Sequence, residues 1–135
     1  MRRLIPLVAL AVAVACGSDS TTQPTMASVA GTWSLQTVNG SPLPFTLTQT
    51  GTDKLELLSD VVTAEPNGTY TETVQFRTTV SGQTTTNSDT DSGTFTLNGT
   101  AVVLSSARTG STTGALSGNT LTLSDQGYVW VFTKQ

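Results

Sequence analysis

The sequence contains no histidine and one cysteine, and it has few charged residues. Without histidine, Ser-His-Asp and Cys-His catalysis in their usual forms are excluded, as are most zinc sites. Charged residues make up 11% of the chain and the net charge is -3, with four basic residues against nine acidic ones after position 3. A phosphate backbone attracts basic surfaces, so this composition excludes nucleic-acid binding.

The remaining polar residues do not provide a nucleophile with a matching base, so we predict that the protein is not an enzyme. Glu56 and Asp60 are the nearest approach to a carboxylate pair. If the strand alternates regularly, both side chains lie on one solvated outer face, separated by about 13 Å, which exceeds the spacing that glycosidases use. We predict neither a metal nor a cofactor.

A long hydrophobic run is also missing, because the apolar stretch near the N-terminus covers only residues 4–15. About twenty residues are needed to cross a bilayer core. Arg2 and Arg3 precede the stretch, and a basic start followed by a short apolar run is typical of a secretory signal peptide. The sequence therefore predicts a signal peptide over residues 1–15.

The single cysteine, Cys16, follows this segment directly, in the run Ala13-Val14-Ala15-Cys16. The run resembles the lipobox of bacterial lipoproteins, which implies cleavage before Cys16, a diacylglycerol on its sulfur and further acylation of the new N-terminus. Several acyl chains anchor a protein firmly. Ala13 and Ala15 also fit an ordinary A-x-A cleavage site, which would leave a free thiol.

The residues after Cys16 are small and polar, so we interpret 16–29 as a lipidated cysteine followed by a flexible tether. Gly17 and Ser18 stand where lipoproteins retained at the inner membrane of enteric bacteria usually carry Asp. The resemblance therefore implies a lipid anchor in the cell envelope, at the outer membrane where the host has one.

From residue 30 onward the hydrophobic pattern has a period of two, which indicates strands. Threonine makes up about a fifth of the sequence, and Asn67-Gly68 and Asn98-Gly99 are typical hairpin turns. Eight strands are predicted, at 31–38, 54–63, 69–80, 92–97, 101–106, 111–117, 120–124 and 128–133. Their regular spacing fits a sandwich or an up-and-down barrel, and we favour an eight-stranded antiparallel barrel because closure removes open edges. Residues 81–91 could extend their neighbours into a long hairpin.

The run GTWSLQTVNGSPLPF, residues 31–45, opens the first of these strands. Its Gly31-Thr32-Trp33 resembles the G-x-W signature of lipocalins, and the run is similar to the start of short bacterial lipocalin-like lipoproteins. The resemblance implies a lipocalin-like barrel over residues 30–135, with Trp33 plugging the closed end beneath a basic side chain, for which Lys134 is the candidate. Avidin-type barrels also begin this way, but their biotin pocket is a box of several tryptophans, and this chain has only two.

Several residues are candidates for lining a binding site inside such a barrel. Tyr70, Glu72 and Phe76 share the inward face of one strand, although Glu72 is close enough to a turn to lie at a rim open to water. The loop containing Leu43 and Phe45 either lids the open mouth or plugs the barrel. The candidate ligand-binding residues are Trp33, Leu43, Phe45, Tyr70, Glu72, Phe76 and Trp130.

The predicted function is binding of a small, mostly apolar ligand inside a lipid-anchored barrel. The alternative is a structural or protein-binding envelope module, such as an assembly factor or inhibitor, with a solid core and no ligand. Val129 and Val131 face outward if Trp130 faces inward, so their face is a candidate surface for a protein partner or a dimer. An interior cavity of a few hundred Å³ would favour ligand binding over the structural module.

Overall fold

The computed structural model describes residues 23–135, which form one closed antiparallel barrel preceded by a single helical turn. The predicted signal peptide and Cys16 lie outside the described residues. The only helix of the described part is too short to cross a membrane. The elements are α1 (Met26–Val29), β1 (Gly31–Val38), β2 (Ser41–Pro42), β3 (Phe45–Thr50), β4 (Asp53–Ala64), β5 (Thr69–Val80), β6 (Gln83–Asn98), β7 (Ala101–Ser106), β8 (Gly110–Ser117), β9 (Thr120–Asp125) and β10 (Tyr128–Lys134).

The barrel closes because β1 pairs with strands on both of its sides. Consecutive strands from β4 to β10 form an antiparallel meander, and β10 then pairs with β1. The first residues of β1 pair with the end of β4, through Gly31 opposite Ala64 and Ser34 opposite Val61. Eight strands therefore form a closed cylinder without an open edge along this seam, which confirms the predicted fold.

The strand predictions agree with the structure except around one loop and one hairpin. The segment after β1 contains two further strands, β2 and β3, where the sequence predicts only a loop. β3 pairs with the first part of β4, and β2 with the end of β1. β6 is sixteen residues long, because residues 83–91 extend it against β5. This is the long hairpin that the sequence analysis gave as the alternative for residues 81–91.

Trp33 seals one end of the barrel and is completely buried. Its indole Nε1–H donates a 2.7 Å hydrogen bond to the carbonyl oxygen of Val29, so α1 lies directly beneath it. The Lys134 Nζ lies 5.4 Å from the ring centroid and donates a 3.0 Å hydrogen bond to the carbonyl oxygen of Ser28. The expected pairing of a tryptophan plug with a basic side chain from the last strand is therefore present.

Glycine at position 31 makes this arrangement possible. Gly31 has a φ of +130°, a conformation that side chains rarely adopt, and a Cβ there would approach the Lys134 Cε to 2.7 Å. Val29, which the sequence assigns to the flexible tether, is only 2% exposed and belongs to the barrel core. Within residues 23–135, the barrel domain therefore includes α1 as well as residues 30–135, because the apolar side chain of Val29 closes its base.

Candidate functional site

The barrel interior is packed at the sealed end and open at the other. A void beside Trp33 measures only about 10 Å³, whereas the opposite half contains a cavity of about 310 Å³. Its apolar wall consists of Leu57, Tyr70, Val74, Phe76, Leu104, Leu123, Trp130 and Phe132. Its polar lining consists of Asp60, Glu72, Asp89, Asp91, Arg108, Thr109, Thr112 and Asp125. The cavity opens to solvent where Asp89 and Arg108 lie, because both side chains are about half exposed.

Two carboxyl groups, Asp60 on β4 and Glu72 on β5, face each other on the wall of this cavity. The strand register places Asp60 opposite Val74 and Glu72 opposite Val62, so the two are diagonal neighbours on the inner face. Asp60 is 5% exposed, and its Oδ1 has no hydrogen-bond partner within residues 23–135. Buried carboxylates normally accept several hydrogen bonds, so Asp60 is an exception that calls for a role.

Burial and mutual repulsion keep this pair from ionising fully. Burial, and then the charge and hydrogen bond of Glu72, raise the pKa of Asp60 from 3.8 to about 9. Burial also raises the pKa of Glu72, although its hydrogen bond with Asp60 opposes the shift. At neutral pH the two carboxyls therefore hold a proton between them, as two like charges at close range must.

The carboxylates nearer the mouth are satisfied by their neighbours. Asp89 accepts two 2.9 Å hydrogen bonds from the Arg108 guanidinium. Asp91 accepts hydrogen bonds from the Ser106 and Thr109 hydroxyls and from a backbone N–H. Burial alone would raise the pKa of Asp91, but these hydrogen bonds outweigh it and hold the pKa below 3.8.

The structure places the predicted ligand-binding residues in two groups. Tyr70, Glu72, Phe76 and Trp130 line the cavity, and all come from the strands on which the sequence placed them. Trp33, Leu43 and Phe45 do not line it. Trp33 belongs to the sealed end, as described above, and Leu43 and Phe45 are half-buried and pack against the core from β3 and its preceding loop.

Phe45 reaches the site only indirectly, through an aromatic chain. Its ring meets Tyr128 edge to face at 6.1 Å, and Tyr128 in turn lies 5.7 Å from Trp130, which lines the cavity. The Phe45–Tyr128 contact is edge to face and the Tyr128–Trp130 contact is tilted, and aromatic contacts of this kind favour particular ring orientations. Phe45, the first residue of β3, therefore supports Trp130 through Tyr128 and does not itself line the cavity.

The prediction that Glu56 and Asp60 share a solvated outer face is wrong, since they are only 6% and 5% exposed. The register of β4 shifts between Leu57 and Ser59, so one extra residue interrupts the alternation there. As a result Asp60 lines the cavity, while Glu56 accepts hydrogen bonds from Lys54 and Arg77. These two cations, Arg77 first, lower the pKa of Glu56 to about 2.

The outward valines form a smaller apolar surface than the sequence suggests. Val129 is 42% exposed, whereas Val131 is half-buried. Within the described residues, the other large exposed hydrophobic side chain is Val80, which lies at the end of β5. A partner at the Val129/Val131 face stays a prediction.

No family model, curated protein or solved structure matches this chain. Across residues 23–135, no cluster of three or more His, Cys, Asp or Glu side chains is arranged to hold a metal ion.

Proposed function

We propose that this protein is a binding protein of the bacterial cell envelope, anchored by lipid at Cys16, that holds a small and mostly apolar molecule inside its barrel. The observation that carries the proposal is the cavity of about 310 Å³. Sites for small molecules typically measure about 300–1,000 Å³ and combine apolar walls with a few polar groups. The cavity has this composition.

The distribution of packing supports binding more than a purely structural role. A barrel that serves only as a scaffold gains stability by filling its interior, because unfilled space loses dispersion contacts. Here the sealed end is filled around Trp33, while Tyr70, Phe76 and Trp130 surround open space at the other end. Eight-stranded barrels are wide enough to hold one small ligand when their side chains leave room.

Filling the cavity tests the proposal directly. We expect Val74→Trp to abolish binding of the uncharged fluorescent probe N-phenyl-1-naphthylamine, because Val74 lines the cavity and the indole would occupy it. The measurement is a fluorescence titration, in which wild-type protein should show saturable enhancement and the variant at least a tenfold weaker response. Thr73→Trp is the matched control, since Thr73 is the exposed neighbour on the same strand.

Two results would contradict cavity binding. One is an absence of saturable probe binding by the wild-type protein. The other is equal binding by the Val74→Trp and Thr73→Trp variants, which would place the probe on the outer surface. Native mass spectrometry of protein purified from its host adds an independent readout, namely a bound molecule lost on denaturation.

The lipid anchor has its own test. We expect wild-type protein extracted from membranes to have an intact mass above that of residues 16–135, by the mass of its acyl chains, because the sulfur of Cys16 and the new N-terminus carry them. Cys16→Ser removes the acceptor sulfur and should move the protein to the soluble fraction. An unmodified Cys16 in soluble wild-type protein would show ordinary cleavage instead.

A further inference from the structure

We propose that the ligand of this cavity carries a cationic group, such as a protonated amine, which binds between the Asp60 and Glu72 carboxyls while its apolar body lies against the aromatic wall. This inference rests on the proposed function and specifies the ligand class. It is carried by an unsatisfied oxygen: the Asp60 Oδ1 is buried, borders the cavity and has no hydrogen-bond partner within the described residues.

The charges around the cavity favour a cation over an anion. Five carboxyl groups and one guanidinium line it. That guanidinium, on Arg108, is held by Asp89 at 2.9 Å and lies 3.6 Å from Asp91. Its charge is therefore already matched, and a ligand carboxylate would enter a field of uncompensated negative charge.

Among residues 23–135, no lysine or arginine forms an ion pair with Asp60 or Glu72. Lys54 and Arg77 contact Glu56, and Lys134 covers Trp33 at the sealed end. The pair is thus short of hydrogen-bond donors, and an ammonium group provides three. Charge-assisted hydrogen bonds to a carboxylate are about twice as strong as neutral ones, which makes the pair an effective anchor.

An organic cation fits better than a metal ion. Calcium takes six to eight oxygen ligands, and the described residues offer no cluster of three or more acidic side chains in metal-binding geometry. The apolar wall, including Tyr70, Phe76 and Trp130, would bury no part of a bare ion. It would instead cover an aromatic or aliphatic body of the ligand, whose charged end then reaches the pair.

The binding should release a proton. The other titratable and charged groups that line the cavity are Glu72 and Tyr70 on β5, Asp89 and Asp91 on β6, Arg108 after β7, and Asp125 at the end of β9. Burial and nearby carboxylates raise the pKa of Tyr70 to about 12, so it stays neutral. A cation favours the ionised carboxyls and displaces the proton they hold, so affinity should rise with pH until the amine itself deprotonates.

A series of three probes with the same aromatic body tests the proposal. The probes are 2-(1-naphthyl)ethylamine, 1-ethylnaphthalene and 1-naphthylacetate, measured by displacement of N-phenyl-1-naphthylamine at pH 8. We expect the amine to bind roughly tenfold or more tightly than the neutral probe, and the carboxylate to bind more weakly than both. Calorimetry in two buffers of different ionisation enthalpy should show proton release with the amine alone.

Substitution of the pair identifies the anchor. The double variant Asp60→Asn/Glu72→Gln should bind the amine and the neutral probe with similar affinity, because it presents no negative charge at that place. Glu65→Gln, an exposed carboxylate outside the cavity, is the matched control and should keep the preference for the amine.

Each remaining outcome has a definite meaning. Equal binding of all three probes by wild-type protein overturns the cationic ligand and leaves the proposed function intact. Preference for the carboxylate overturns it as well, and identifies Arg108 as the anchor. A preference for the amine that survives in the double variant excludes Asp60 and Glu72 as its source. Failure of all probes, including N-phenyl-1-naphthylamine, overturns the proposed function itself.

Discussion

Replacing Asp60 by asparagine is expected to stabilise the protein at neutral and alkaline pH. The carboxyl has a pKa of about 9 in the folded protein and 3.8 when unfolded. Between these values the folded state keeps a proton that the unfolded state releases, so wild-type stability falls as pH rises from about 4 to about 9. Asparagine does not titrate, and its amide can donate to Glu72. The variant should gain on the order of a few kcal/mol at pH 7.5, which raises Tm by roughly 8 °C or more.

The pH dependence distinguishes this effect from a general improvement in packing. The difference in Tm between Asp60→Asn and the wild-type protein should be small at pH 4 and increase steadily to pH 9. Glu65→Gln is again the control, because an exposed carboxylate should change stability by less than about 0.5 kcal/mol at any pH. A difference that does not vary with pH would contradict the buried, protonated state of Asp60.

A gain of this kind would show that the cavity is maintained at a cost in stability. Binding sites commonly retain such costs, because the groups that bind a ligand are left unsatisfied without it. An amine bound between Asp60 and Glu72 would remove the cost by providing the missing donors. The same two residues would then account for the lowered stability of the free protein and for its choice of ligand.

The sequence predicted the barrel well because its strands carry a strong local signal. In β5, inward Tyr70, Val74 and Phe76 alternate with outward polar residues, and the structure keeps that alternation without interruption. Strand β2 was missed because it has only two residues, one of them Pro42, and β3 was missed because it directly follows Pro44. Proline limits pairing and favours a loop prediction, although at a sheet edge it is tolerated.

The main feature of the site was missed because it depends on a β-bulge. Counting by two from Glu56 assigns Asp60 to the same face, and only an extra residue near Leu58 turns it toward the cavity. Two consecutive leucines at 57 and 58 are the one local sign that the alternation breaks, and they do not fix its position. The pairing of Arg108 with Asp89 depends likewise on register, here between the consecutive strands β6 and β7.

Replacing Trp33 by alanine is expected to cause the largest loss of stability in this protein. The side chain is completely buried, and its removal leaves a large cavity at the sealed end, which costs about 3–5 kcal/mol. The carbonyl oxygen of Val29 also loses its hydrogen bond, and Lys134 loses its aromatic partner. Natural domains have only about 5–15 kcal/mol in total, so Tm should fall by about 15 °C or more. Urea denaturation followed by Trp130 fluorescence measures the loss.

Two milder substitutions separate the parts of this effect. Trp33→Phe keeps an aromatic face under Lys134 but removes the indole donor, so it should cost about 1–2 kcal/mol. It should leave probe binding unchanged, because Trp33 does not line the large cavity. Trp130→Phe makes the same exchange at the open end, where the side chain is half-buried. It should weaken probe binding and lower Tm by less than Trp33→Phe does. If Trp33→Phe impaired binding and Trp130→Phe did not, the ligand would occupy the sealed end, and the division of the barrel into a packed base and a binding half would be wrong.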